Sequence, residues 1–230
     1  MPRIVEVRKN ILKHNDEVAR ALRERFQSAG VFVVSLVSSP GSGKTAFLEK
    51  TLSLLKAANF RPAAVVGDLA TDNDAARLAR SQTPVKQITT GTMCHLEAAM
   101  VESAVAEWDL DDLDYLFVEN VGNLVCPSAY DLGEDLRVVM LSVTEGEDKP
   151  LKYPTIFNSA DLAVITKIDL AEAVEFDRAA ARANIEAVRP GIPVLELSSK
   201  SGFGMDAWLK VLTTLPKTPR IAADKAYSDS

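Results

Sequence analysis

Basic tracts, long apolar runs and cysteines are all scarce in this 230-residue chain, and each scarcity removes a class of function. The formal net charge is −6 and the sequence pI is about 5.1. No stretch of lysine and arginine stands out, which argues against a role built on neutralising nucleic-acid phosphates. No apolar run approaches the roughly 20 residues needed to cross a bilayer. The N-terminal stretch is charged and amphipathic and lacks the apolar block of a signal peptide, so a cytoplasmic protein without a membrane partner is expected. Two cysteines, Cys94 and Cys126, do not make a disulfide framework. In such a chain they read as core, metal-binding or catalytic thiols. Repeats and low-complexity tracts are also missing. What remains, with 47% hydrophobic residues, suits one α/β domain with a substantial core, or two at a stretch.

The most informative stretch is 31–45. An apolar run of strand type, 31–37, breaks into Ser38-Ser39-Pro40-Gly41-Ser42-Gly43-Lys44-Thr45, and a helix-like run, 46–58, follows. Strand, glycine-rich turn, Lys-Thr and helix together make a phosphate cradle. Gly41 and Gly43 allow the backbone N–H groups to turn inward, and the helix aims its positive end at the same place. Lys44 would reach the β- and γ-phosphates, and the Thr45 hydroxyl would bind Mg²⁺. The phosphate-binding set is therefore Ser39, Pro40, Gly41, Ser42, Gly43, Lys44, Thr45 and Ala46. Ser38 stands where the general pattern has its first glycine.

Upstream, residues 2–30 read as one amphipathic helix, stopped by Gly30. Val7, Ile11, Val18, Leu22 and Phe26 share a face, with Lys13, Glu17, Arg20 and Glu24 opposite. This helix either packs on the sheet or offers a dimer or partner surface. Downstream, strands are expected at 63–66, 85–89, 115–118, 138–143, 161–165 and 194–197. Helices are expected from Thr71, with Asp74 in a capping-box-like start, and at 95–108, 171–188 and 205–215. This alternation predicts a mostly parallel sheet with helices on both faces, the α/β architecture of phosphate-loop NTPases. Segments 1–30, 31–215 and 216–230 read as an N-terminal helix, a nucleotide domain and a tail expected to fray.

Thr166-Lys167-Ile168-Asp169 follows a strand and resembles the guanine-reading N-K-x-D signature. Asp169 could accept hydrogen bonds from guanine N1 and its exocyclic amine, and Lys167 could lay its stem on the base. Thr166 lacks the amide of the usual Asn. Ser198-Ser199-Lys200 resembles the later S-A-K loop, whose backbone reads guanine O6. Asp68 and Asp72 resemble the paired aspartates of the nitrogenase-iron-protein and signal-recognition class, where they position the attacking water and attend Mg²⁺. Glu119 ends a buried strand with Gly122 three residues on, the place of a carboxylate that holds Mg²⁺ through water, with glycine near the γ-phosphate. Each carboxylate could equally be a cap or a strand-end charge. No D-x-x-G-Q occurs, so slow intrinsic hydrolysis is expected, on the order of 10⁻⁴ to 10⁻² s⁻¹. Cys94, His95 and Cys126 are ligands suited to Zn²⁺ or Ni²⁺ but too few to close a tetrahedral site. They could also be two buried thiols beside a helix-start histidine.

Read together and in order, these segments resemble one family. Ser38 to Thr45, Gly67-Asp68-Leu69-Ala70-Thr71-Asp72, Thr90-Gly91 with Cys94-His95, and Glu119-Asn120-Val121-Gly122-Asn123-Leu124-Val125-Cys126-Pro127 all match it. So does Leu141-Ser142-Val143-Thr144-Glu145-Gly146-Glu147-Asp148-Lys149-Pro150-Leu151-Lys152-Tyr153-Pro154. Over roughly 11–215 the chain is similar to the HypB family, the nickel-inserting accessory GTPases of nickel–iron hydrogenase maturation. The related urease accessory GTPases carry Cys-Pro-His, whereas Cys94 and His95 are adjacent here. The resemblance implies a cytoplasmic, GTP/GDP- and Mg²⁺-dependent homodimer that hydrolyses GTP. It implies a Ni²⁺ or Zn²⁺ site of Cys94, His95 and Cys126 at the dimer interface. The implied partners are the nickel-delivery protein HypA and the hydrogenase large-subunit precursor. Residues 1–10 hold no Cys or His, and only His14 and His95 occur in the chain, so a Cys-rich or His-rich nickel store is not expected. A binding protein that holds nucleotide and metal without appreciable turnover is the alternative.

Overall fold

The computed structural model describes residues 2–68 and 78–215. Seven strands form one sheet: β1 (Phe32–Ser38), β2 (Pro62–Asp68), β3 (Val85–Thr89), β4 (Tyr115–Glu119), β5 (Leu136–Ser142), β6 (Leu162–Thr166) and β7 (Val194–Glu196). Every pairing is parallel and the order is β3-β2-β4-β1-β5-β6-β7. Strands β1, β4 and β6 are buried along their whole length, whereas the edge strands β3 and β7 are mostly half-buried. That is why the inner strands read as unbroken apolar runs: a parallel sheet is covered on both faces.

Helices α1 (Pro2–Ser28), α2 (Lys44–Ala57), α3 (Ala98–Ala104), α4 (Lys149–Lys152), α5 (Pro154–Asn158), α6 (Arg178–Val188) and α7 (Met205–Thr214) supply the cover. On one face, Phe47, Leu48 and Leu52 of α2 and Met205, Trp208 and Leu212 of α7 pack on Val34, Leu36, Phe117 and Val138. Trp208 is wholly buried, and its indole N–H donates to Thr51 Oγ1 at 3.0 Å. Burial of each such large side chain stabilises the fold by about 1.5–3 kcal/mol. On the other face, Leu22 and Phe26 of α1 and Val101 of α3 cover Val33, Val65 and Val118, while Ile156, Phe157 and Ile185 cover the β5–β6 side.

The N-terminal helix therefore packs on the sheet, but its stripe differs from the sequence expectation. Ala19, Leu22 and Phe26 are buried together with the polar Asn15, whereas Ile11 is 46% exposed. Lys13, Glu17, Arg20 and Glu24 are exposed as expected. Two expected helices are shorter than their sequence periodicity suggests. Residues 95–97 are non-helical, with Glu97 extended ahead of α3, and a side-chain cap from Asp177, accepting from Ala180 N–H at 2.9 Å, starts α6 only at Arg178. The expected helix start at Thr71 and Asp74, Asp72, and the tail from 216 lie outside the described residues.

Candidate functional site

The phosphate loop joins β1 to α2. Gly41 (φ 73°) and Gly43 (φ 95°) adopt left-handed backbone, which a side chain would oppose. Gly43 is the N-cap of α2 and supplies no side-chain cap. The helix-start N–H groups thus lack the usual internal acceptor, the condition that favours an anion there. Lys44 is buried, and its Nζ donates to Ser38 Oγ at 2.8 Å and Ser39 O at 3.3 Å. Ser42 Oγ also donates to Ser38 Oγ. The departure at the first motif position thus has a physical role, since the Ser38 hydroxyl receives the lysine ammonium. Thr45 Oγ1 donates to Glu119 Oε1 at 3.0 Å, so the hydroxyl and carboxylate suited to Mg²⁺ meet at one point. Asp68 ends β2, whose Val66 pairs with Glu119, so its backbone lies at the same carboxyl edge of the sheet.

A cleft of about 220 Å³ beside this loop is lined by Ser42, Gly43, Ala46, Thr166, Lys167, Asp169, Ser198, Ser199 and Lys200. Three sequence-distant motifs are thereby brought together. Thr166, in place of Asn, donates from Oγ1 to Ser42 O at 2.7 Å, and Lys167 donates to Gly41 O at 2.6 Å. Both tie the end of β6 to the phosphate loop. Lys167 itself has φ 56°, a left-handed bend that starts the short turn carrying the exposed Asp169. Ser198 anchors the second base loop by accepting from Ser201 N–H at 3.1 Å on its hydroxyl and from Gly202 N–H at 2.8 Å on its carbonyl.

On the opposite side of β1, the ligand atoms of Cys94, His95 and Cys126 lie within 4.8 Å of one another. The two sulfurs are 2.7 Å apart, and His95 Nδ1 is 3.8 Å from Cys94 Sγ. The hydrogen bond between the thiols, with partial desolvation and the charge of Cys126, raises Cys94 above the ordinary thiol value. A bound cation would replace that proton. Two sulfurs and an imidazole suit Zn²⁺ or Ni²⁺ and leave coordination positions to other ligands.

The two centres are joined through 119–126. Gly122 lies so close to the phosphate loop that a Cβ there would fall 2.8 Å from Pro40 Cα. Asn120 Oδ1 accepts from Leu96 N–H at 3.0 Å and Val121 N–H at 2.9 Å, and Asn123 Nδ2 donates to Cys94 O at 3.2 Å. Leu96 in turn packs on Gly67, where a Cβ would meet its side chain at 2.9 Å. A family model for the CobW/HypB/UreG nucleotide-binding domain matches residues 32–196. The hydrogenase maturation factor HypB of Azotobacter vinelandii is 51% identical over 210 residues, 90% of this chain and 68% of that one. The chain belongs to the HypB family. HypB from Helicobacter pylori, solved in complex with nickel, superposes with a TM-score of 0.82 at 42% identity, over 87% of this chain and 94% of that one. HypB from Archaeoglobus fulgidus gives 0.81 at 38% identity, over 87% and 98%.

Sequence reasoning named Cys94, His95 and Cys126, which the structure brings together, but missed the residues that hold their loops. Asn15 of α1 is buried; its Oδ1 accepts from Ala98 N–H at 2.9 Å, and its Nδ2 donates to Asp131 O at 2.8 Å. Arg23, two turns on, donates to both carboxylate oxygens of Asp131 at 2.6 and 2.8 Å. Tyr130 stacks on His95 with ring centres 3.9 Å apart. The available signal was Asn15 itself, a polar residue in phase with Ala19, Leu22 and Phe26.

Proposed function

We propose that this chain is a GTP-hydrolysing nickel carrier that assists metal insertion into a nickel–iron hydrogenase precursor and works as a nucleotide-dependent homodimer. Lys44 and the loop N–H groups bind the phosphates. Thr45 and Glu119, with Asp72, hold Mg²⁺, which neutralises charge on the phosphates. Asp68 positions the attacking water. Asp169, with Lys167 and the Ser198-Ser199-Lys200 loop, selects guanine. Cys94, His95 and Cys126 carry Ni²⁺, or Zn²⁺ in its place, and the second subunit completes the coordination. HypA supplies the metal, and the hydrogenase large-subunit precursor receives it.

The observation that carries this reading is the single connector, with Glu119 at one end against Thr45, Gly122 against Pro40, and Cys126 at the other end. A γ-phosphate that draws Gly122 and Pro40 must displace a segment hydrogen-bonded to Leu96 and Cys94. Metal affinity should therefore differ between the GDP and GTPγS states by roughly 5–150-fold, with reciprocal change of nucleotide affinity. Competition titration of Ni²⁺ in the two states, on the unmutated chain and Cys126→Ala, is the test. Identical affinities in the two states would overturn the carrier reading. Metal binding without phosphate release would favour a storage protein.

A further inference from the structure

We infer that Glu97 is the positioning residue that aims His95 at the metal, an inference that rests on the reading of Cys94, His95 and Cys126 as a metal site. Glu97 sits at the N-cap of α3 but makes no side-chain capping bond. Ser, Thr, Asp and Asn fill that position because their short side chains reach the helix-start N–H groups, and glutamate is a poor substitute. The capping work is done from another element, since Asn15 Oδ1 accepts from Ala98 N–H at 2.9 Å. Glu97 is thereby released, and its Oε1 lies 3.5 Å from His95 Nε2.

His95 has two ring nitrogens in different surroundings. Nδ1 faces Cys94 Sγ at 3.8 Å, on the side where the three ligand atoms converge. Nε2 is buried and makes no hydrogen bond within the usual limits, with the Glu97 carboxylate 3.5 Å away. The Tyr130 ring, 3.9 Å away at 31°, holds the imidazole plane and leaves rotation about the side chain as the freedom still to be fixed. A carboxylate on Nε2 fixes it. It keeps the proton on Nε2 and leaves the Nδ1 lone pair for the cation. The arrangement is carboxylate, then imidazole, then metal, and loss of such an outer partner typically weakens metal binding by about 10–100-fold.

The test uses the full chain, with Zn²⁺ and Ni²⁺ as probes in competition with a chromophoric chelator. Glu97→Ala should bind each cation about 10–100-fold more weakly at unchanged GTP affinity. Glu97→Gln, whose carbonyl oxygen can accept from Nε2–H as the carboxylate can, should recover much of the loss. Long-range ¹⁵N–¹H spectra of the zinc-loaded chain should show His95 metallated at Nδ1 and protonated at Nε2, with that signature lost or mixed in Glu97→Ala. A metallated Nε2, an unchanged affinity in Glu97→Ala, or no recovery in Glu97→Gln would each overturn the inference. Cys126→Ser is the separate control: retention of wild-type metal affinity there would overturn the metal-site reading itself.

Discussion

Replacing Gly122 by alanine isolates the contact between the phosphate loop and the connector. The new Cβ would stand 2.8 Å from Pro40 Cα and 2.9 Å from Pro40 N, where ordinary contact begins at 3.4 Å. Both are backbone atoms, so no side chain can swing aside. Either the phosphate loop or the connector must retreat by about 0.6 Å, because a close-packed interior offers no slack. Overpacking of this kind costs about 1–3 kcal/mol. A displacement approaching 1 Å at a reacting centre costs up to about 10²-fold in rate. Single-turnover GTP hydrolysis should fall by about 10- to 100-fold, the urea midpoint should drop, and Ni²⁺ affinity should change as well, because Cys126 lies on the same connector. Gly191→Ala is the contrast. There φ is +79° and nothing lies within 4 Å of the added carbon, so only left-handed strain of about 1–2 kcal/mol is expected, with turnover unchanged. Wild-type hydrolysis and stability in Gly122→Ala would refute the claim that this contact is tight and transmits to the phosphates.

The remaining predictions address separate parts. Lys44→Ala should lower GTP turnover by about 10²-fold or more while the urea midpoint moves little, since the ammonium reaches back to Ser38 and Ser39 of the phosphate loop itself; an unchanged rate would misplace the phosphate loop. Asp169→Asn should shift preference from GTP towards XTP, by up to about 10⁴ where a site is built on such hydrogen bonds, and competition binding with GTP, ATP and XTP reads it. Desolvation tends to raise Asp131, but the Arg23 hydrogen bonds, Gly133 N–H and the Arg23 charge outweigh it and hold the carboxyl below the ordinary range. Its stabilisation is therefore present above the unfolded value of about 4 and is lost as pH falls through the lower folded value. With both side chains about one-third exposed, that contribution is about 1 kcal/mol. Urea stability followed from pH 7 to 3 should show a shallower acid loss in Asp131→Asn, and an identical slope would refute the pairing.

Much of the architecture was legible because it rests on local signals. The unbroken apolar runs gave the strands to within about two residues, and the Gly41–Thr45 turn announced the phosphate loop. The errors came where tertiary partners replace local ones. A helix beginning at His95 looked reasonable by periodicity, yet α3 starts at Ala98, because Asn15, 83 positions away, supplies the capping oxygen. Ile11 looked like core by spacing but is exposed, one turn before the buried Asn15 that opens the Ala19, Leu22 and Phe26 stripe among the described side chains. Thr166 looked like a weakened base-reading motif. Its hydroxyl instead holds Ser42 O, a bond no linear pattern contains. Cys94, His95 and Cys126 could be named from composition and resemblance, but their convergence depends on Asn120 and Asn123 binding the Leu96 and Cys94 backbone.

On the proposed function, the strand order explains why nucleotide and metal chemistry would meet through one segment rather than many. β1 delivers the phosphate loop near the middle of the sheet, and open α/β sheets bind ligands at the carboxyl ends of their strands around such a point. To one side, β6 and β7 carry the loops proposed to read the base, with Lys167 and Thr166 bonded to the phosphate loop. To the other side, β4 and then β2 and β3 lead to the Cys94–His95 segment. Among the described residues only β4 is hydrogen-bonded to β1 on that side, and its outgoing loop both meets Pro40 at Gly122 and carries Cys126. Glu119, the last residue of β4, meets Thr45, and seven residues later Cys126 meets Cys94. On the proposed function, base recognition and metal binding would occupy opposite flanks of the same loop, and the phosphates would be the ligand feature that both flanks sense.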